Sequence, residues 1–328
     1  MTADRRLDER RQRALTRYYL AVGAGGLAIG VPTTQFAIHD SKVGLYGPVL
    51  TLAAETIEEH ERTGGAAVVR VAGIVGDTQQ ATSEAALATD LGFHVGLVDL
   101  GHSAGGTDDH AIEHLRAVAE IIPVMGFYLQ PAVGGCDRPY RFWRRVAELD
   151  RLVAVKIAPF DRYRTLEVVR AVADAGRGNE IALYTGNDDH IVLDLLTAFR
   201  FGDGPALHMV GGLLGQWAVW TKRATDLHAE CRRVVTRGMP IPPRLLTVAA
   251  QLTDANGAIF DARHGYAACI PGIHEILRRQ GLLAGTWTLD PREVLSPGQS
   301  ADIARVRSAY PDLTDDVFVA EHRDRWLA

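Results

Sequence analysis

The chain has 328 residues, 47% of them hydrophobic, with a formal net charge of −5, which is typical of a globular protein with a large core. No basic stripe interleaved with aromatic residues occurs, so a nucleic-acid partner is not expected. No apolar run approaches the roughly 18 residues of a membrane span. The charged N-terminus is unlike a signal peptide, and the three cysteines are widely separated. We therefore predict a cytoplasmic protein that acts on a small molecule.

Short apolar runs alternate with segments of helical periodicity, which is typical of parallel strands joined by helices. After the first interval the runs recur roughly every 25 to 30 residues, close to the length of one strand-helix-strand unit. They are apolar on both faces, so both faces must be covered. This pattern predicts an α/β protein with a (β/α)8 barrel. The predicted strands begin near Leu27, Val68, Val95, Ile122, Leu152, Ile181 and Leu207.

Capping residues locate several predicted helices. Asp161 is placed to accept hydrogen bonds from the free backbone donors of a helix over residues 161–175, and Thr107 has the same position before a helix that ends near residue 120. Prolines at 240, 242 and 243 end the helix that begins near Gly215. We predict a barrel domain over residues 1–237 and a helical C-terminal extension over residues 238–328.

The predicted barrel lacks one strand. Seven strand signals are present, and the chain opens with a predicted helix, residues 5–22, that should follow a first strand. A barrel without one strand has two long edges with unpaired backbone groups. Two explanations remain open: the sequence begins downstream of the natural first strand, or another segment fills the gap.

Lys156 is the strongest candidate for chemistry. The chain has only two other lysines, Lys42 and Lys222, and Lys156 alone lies in an apolar strand, near its C-terminal end. Barrel active sites lie at that end. Burial lowers the pKa of a lysine and so favours the neutral, nucleophilic amine. The alternative is a structural lysine that reaches solvent or pairs with Asp188 or Asp189.

Tyr128 stands at the end of the predicted strand that precedes the strand of Lys156, and the two sequence numbers have a difference of 28. Neighbouring strand ends in a barrel converge, so this phenol is expected to relay protons at the amine. The alternative is an amphipathic tyrosine at the barrel rim.

Residues 128–136, with the sequence YLQPAVGGC, and Lys156 resemble the Tyr-x-x-Pro-x-x-x-Gly-Cys motif and the strand-six lysine of the dihydrodipicolinate synthase and N-acetylneuraminate lyase family. The spacing between tyrosine and lysine is that of the family. Thr33 and Thr34 resemble the paired hydroxyl residues that hold a keto-acid carboxylate. The segment 186–189 resembles the Gly-Asp-Asp-type segment after strand seven.

The resemblance implies a class I aldolase or lyase in which Lys156 forms an imine with a 2-oxo acid such as pyruvate. Tyr128 would shuttle protons, Thr33 would take part in the relay, and Thr34 would bind the carboxylate. A turn or the start of a helix is the alternative for the two threonines. Gly186 would line the substrate site. No metal or organic cofactor is expected, and a homodimer or homotetramer is implied.

Several positions depart from the family pattern. The usual Gly-[Thr/Ser]-Thr-Gly-Glu is PTTQF at residues 32–36. Val133 stands where the synthases carry an arginine that binds the carboxylate of the second substrate, and valine cannot make that bond. His102 stands where the synthases carry an aromatic hydroxyl, and we place it in the substrate site. True dihydrodipicolinate synthesis is therefore not predicted.

Two other classes of function compete. His110 and His114 are four residues apart on a predicted helix, a spacing that can place two imidazoles on one metal ion. A metal-dependent aldolase or hydrolase is therefore the first rival, although a solvated helix face also explains the pair. A degenerate, non-catalytic barrel is the second rival.

Overall fold

The computed structural model describes residues 1–103 and 105–328. Its strands form one sheet in chain order, and each pairing from the second strand onward is parallel. The seven predicted strands are confirmed, and the described residues contain no eighth. The strands are β1 (Gly26–Ile29), β2 (Val69–Ile74), β3 (Val95–Val98), β4 (Val124–Leu129), β5 (Leu152–Ala158), β6 (Ala182–Thr185) and β7 (Met209–Gly212).

Helices connect the strands and make up most of the C-terminal region. The predicted caps are confirmed: Asp161 accepts from the backbone nitrogen of Arg164 at 3.0 Å, and Thr107 accepts from that of His110 at 3.2 Å. No helix in residues 1–103 and 105–328 combines the length and apolar character needed to cross a membrane. The helices are α1 (Glu9–Ala21), α2 (Tyr46–Arg62), α3 (Thr78–Asp90), α4 (Asp108–Ala119), α5 (Tyr140–Val146), α6 (Arg162–Asp174), α7 (Ile191–Leu196), α8 (Thr221–Thr236), α9 (Pro243–Ile259), α10 (Cys269–Arg279), α11 (Gln299–Ala309) and α12 (Asp316–Leu327).

The chain divides into two compact units, and the division differs from the predicted boundary between residues 237 and 238. The segment Met1–Arg70 groups with the C-terminal helices. One reason is that α1 packs on α12, where the rings of Tyr18 and Trp326 lie 5.3 Å apart. The first unit comprises Met1–Arg70, Gly215–Leu227 and Ala250–Ala328, and the second comprises Val71–Leu214 and His228–Ala249.

A buried hydrogen-bond network holds the first unit together. The Tyr18 hydroxyl donates to Asp315 Oδ2 at 2.6 Å and accepts from the backbone nitrogen of Thr221 at 2.7 Å. Gln280 Nε2 donates to the other carboxylate oxygen of Asp315 at 2.7 Å. These bonds join α1 to the segments before α8 and α12, so buried polar groups of distant sequence are satisfied together.

In the second unit, one face of the sheet packs against helices. A Cβ atom built on Gly126 of β4 would lie 3.2 Å from the ring of Trp143 in α5. Gly126 pairs with Val155, which pairs with Leu183. Because register partners in a sheet point to the same side, these residues define a helix face, and their sequence neighbours point to the opposite face.

Candidate active site

Lys156 lies on the face of the sheet opposite the helix face. Its register partners are Phe127 on β4 and Tyr184 on β6, and each is the sequence neighbour of a residue on the helix face. The side chains of these three residues therefore share one side of the sheet, which we call the lysine face. Lys156 is only 6% exposed.

The electrostatic surroundings of Lys156 favour a partly neutral amine. Burial lowers its pKa to about 8, while the Asp188 carboxylate opposes this shift. The amine nitrogen lies 4.1 Å from the centre of the Phe127 ring, a contact that also favours the ammonium form. Burial outweighs the effect of the Asp188 carboxylate, because it removes water from the charge. At pH 7 roughly a tenth of the amine is then neutral, about 300-fold more than for an unperturbed lysine.

Gly186, directly after β6, leaves room for the lysine side chain. A Cβ atom at this position would lie 3.1 Å from Lys156 Cε and 2.6 Å from Ala158 Cβ. Its backbone nitrogen donates to the carbonyl oxygen of Ile157 at 2.7 Å. The structure thus brings Gly186 and Lys156 together, and the close approach explains why glycine stands there.

A buried carboxylate fixes the segment that carries Gly186. Asp194 is fully buried, and its Oδ2 accepts from the Thr185 hydroxyl at 2.6 Å and from Asn187 Nδ2 at 3.0 Å. Its Oδ1 lies 2.7 Å from Arg162 Nη2. The carboxylate is shielded from solvent but is neutralised and hydrogen-bonded by the protein, as a buried charge requires.

The same network reaches the loop after β5. Asn187 Oδ1 accepts from the backbone nitrogen of Phe160 at 3.0 Å, and its Nδ2 also donates to Thr165 Oγ1 at 3.2 Å. Phe160 has φ of +52°, a conformation that is uncommon for residues other than glycine. The hydrogen bond to Asn187 holds this strained turn at the end of the strand that carries Lys156.

Tyr128 lies on the helix face, which corrects the prediction that it serves the amine. It pairs with Ile157, the neighbour of Lys156. Its ring stacks on Trp143 at 5.3 Å, and its hydroxyl accepts from Arg164 Nη1 of α6 at 3.2 Å. Burial raises its pKa, and Arg164 opposes the shift. The sheet lies between this phenol and the amine, so the structure does not place the two side chains for direct proton transfer.

An irregularity between β4 and β5 causes this separation. Val124 pairs with Leu152, a difference of 28, but Met125 pairs with Ala154, a difference of 29. One extra residue of β5 is thus inserted between these pairs, as in a β-bulge. A difference of 28 throughout would have paired Tyr128 with Lys156. The insertion moves Tyr128 to the other face, because side chains alternate with a period of two.

Tyr184, which the sequence analysis did not consider, shares the lysine face with Lys156. It is half-buried on β6, directly beside Lys156. Among the residues that the registers of β3 to β7 place on the lysine face, within the described chain, it carries the one hydroxyl group. The signal in the sequence was its position after Lys156, again at a difference of 28, which holds along the whole pairing of β5 with β6.

The structure places the remaining predicted site residues in two short 3-10 helices. Thr33 and Thr34 form a 3-10 helix after β1 in the first unit, and both are half-buried. His102 is exposed in a 3-10 helix after β3 in the second unit. Their roles in carboxylate binding, proton relay and substrate contact stay predictions.

The histidine pair on α4 is not assembled as a metal site in the described residues. His114 is buried, and its Nδ1 lies 3.0 Å from the Thr78 hydroxyl of α3. Burial lowers its pKa. No group of three histidine, cysteine or carboxylate side chains in residues 1–103 and 105–328 is arranged to hold a metal ion.

No family model and no curated protein matches the sequence. The chain is, however, similar to solved structures. Dihydrodipicolinate synthase from Oceanobacillus iheyensis is 19% identical, covers 95% of this chain and 93% of its own, and has a TM-score of 0.73. YagE, a prophage protein of the dihydrodipicolinic acid synthase family from E. coli K12 in complex with pyruvate, is 16% identical, with 95% of each chain covered and a TM-score of 0.74. The chain has the fold of the dihydrodipicolinate synthases.

A third structure has the same fold. A dihydrodipicolinate synthase described as the first monomeric variant is 16% identical over 94% of this chain and 93% of its own, with a TM-score of 0.73. The predicted barrel fold and its C-terminal helices are thus confirmed. The predicted homodimer or homotetramer stays a prediction.

Proposed function

We propose that the chain is a class I aldolase or lyase of the dihydrodipicolinate synthase family that forms a Schiff base between Lys156 and a 2-oxo acid. The observation that carries the proposal is the buried amine, whose pKa burial lowers to about 8, at the end of a barrel strand. A neutral amine adds to a carbonyl, and the protonated imine that follows withdraws electrons from the neighbouring carbon. Making or breaking a carbon-carbon or carbon-oxygen bond there becomes accessible.

The fold and a structure that shares it support the proposed substrate class. YagE, which has the same fold, was solved in complex with pyruvate, and this supports a 2-oxo acid as the partner of Lys156. Val133, at the end of a 3-10 helix after β4, has no group to bind a second carboxylate. We therefore propose that the acceptor differs from that of the true synthases.

The rival functions have less support. A metal-dependent aldolase needs a set of ligands, and the described residues hold no such arrangement near Lys156. A non-catalytic barrel gains nothing from a buried amine, since a buried charge that is only partly compensated destabilises a fold.

Reductive trapping tests the proposal. The protein is incubated with pyruvate and a panel of longer 2-oxo acids, reduced with borohydride, and mapped by mass spectrometry. We expect a stable adduct on Lys156 and none on Lys42 or Lys222, which serve as internal controls. Lys156→Met should lose the adduct. Lys222→Arg should keep it, because Lys222 is a partly exposed residue whose Nζ lies 2.6 Å from Asp226. No adduct on Lys156 with any member of the panel would contradict the proposal.

A further inference from the structure

We propose that Tyr184 is the proton-transfer group of the imine chemistry, in the place where the family resemblance would put Tyr128. The inference rests on the proposed function of Lys156. It begins from the register of β5 and β6, in which Lys156 and Tyr184 are partners. Neighbouring strands lie about 5 Å apart, so the two side chains rise side by side from the same face.

The neighbouring strand leaves room for the Tyr184 ring on the lysine face. Its partner on β7 is Gly211, and a Cβ atom built there would lie 3.3 Å from Tyr184 Cε1. Glycine thus provides the space that the ring occupies. Tyr184 is half-buried and its register places it on the lysine face, whereas the Tyr128 hydroxyl accepts a hydrogen bond from Arg164 on the helix face.

The steps balance with one phenol. The amine of Lys156 adds to the C2 carbonyl of the 2-oxo acid, and a proton moves from nitrogen to oxygen through Tyr184 to give the carbinolamine. Tyr184 then donates its proton as the carbon-oxygen bond breaks, so water leaves and a protonated imine and a phenolate remain. The phenolate takes a proton from C3, which gives the enamine and restores the phenol.

Exchange of the methyl protons of pyruvate in D2O, followed by proton NMR, reports this sequence without any acceptor substrate. Wild type should exchange them. Tyr184→Phe should slow the exchange by about 10²-fold to 10⁴-fold while borohydride still traps some adduct on Lys156. Tyr128→Phe is the matched control and should exchange at nearly the wild-type rate.

A second variant keeps the hydroxyl but displaces it. Gly211→Ala places a methyl group against the Tyr184 ring, and we expect slower exchange with trapping retained. Wild-type exchange in Tyr184→Phe, or slow exchange in Tyr128→Phe alone, overturns the role of Tyr184 and leaves the imine proposal standing. Absence of both trapping and exchange in the wild type overturns both.

Discussion

Replacing Gly186 with alanine tests how closely the lysine side chain is confined. The new methyl group would lie 2.6 Å from Ala158 Cβ and 3.1 Å from Lys156 Cε. Ordinary carbon-carbon contacts are about 3.5 to 4.0 Å, so the contact with Ala158 needs roughly 1 Å of movement and the contact with Lys156 roughly 0.5 Å. Ala158 is part of a paired strand, and the lysine side chain is the more easily displaced of the two neighbours.

Two quantities measure the effect of Gly186→Ala. Overpacking of this kind costs about 1 to 3 kcal/mol, which urea denaturation measures as a fall in the free energy of unfolding. A displacement of about 1 Å at a reacting group can slow a reaction about 10²-fold, so a displacement of about 0.5 Å should slow it roughly 10-fold. We therefore expect a comparable fall in the rate at which cyanoborohydride and pyruvate modify Lys156.

Gly257→Ala is the matched control. Gly257 lies within α9, and a Cβ atom there meets nothing within 4 Å. Alanine should stabilise the protein by about 0.5 to 1 kcal/mol through its higher helix propensity, with the trapping rate unchanged. If Gly186→Ala keeps both wild-type stability and wild-type trapping, the confinement of Lys156 by this glycine is refuted. Lost stability with unchanged trapping would show that the strand moves instead of the lysine.

Two further predictions concern pKa values. Asp188 raises the pKa of Lys156, so Asp188→Asn should lower the pKa of Lys156 below about 8. The pH dependence of acetylation of Lys156 by trace acetic anhydride measures this pKa. An equal shift in Asp189→Asn would contradict a specific effect of Asp188. Burial lowers the pKa of His274 from 6.5 to about 4, so its contribution to stability is complete above pH 6.5 and is lost as the pH falls toward 4, by about 3 kcal/mol in all. His274→Gln should flatten the fall in the free energy of unfolding over that range, and parallel curves would count against this.

Local features of the fold were predictable from the sequence because they depend on neighbouring residues. The strand at residues 152–158 is apolar on both faces, as a covered strand must be. The helix at Asp161 begins at a side chain that accepts from its own first turn. Each signal lies within a few residues of the structure that it specifies.

The division of the chain into two units could not be predicted from such local signals. Tyr18 and Asp315 stand near opposite ends of the chain, and nothing near either of them indicates the other. The bond between them depends on how α1 and α12 pack. The linear order of strands followed by helices therefore predicted a boundary at residue 237, whereas the tertiary contacts join the two ends of the chain.

The candidate site shows how far a sequence spacing can be used. The sequence numbers of Tyr128 and Lys156, and those of Lys156 and Tyr184, have the same difference of 28, yet the first pair lies on opposite faces and the second on one face. The cause is a single extra residue within β5 in its pairing with β4, and no local pattern of residue types marks it. A spacing specifies proximity only together with a register, because one residue of slip exchanges the two faces. The comparison of Tyr128→Phe with Tyr184→Phe is therefore a test of the register itself: the phenol that affects proton exchange is the one that shares a face with the amine.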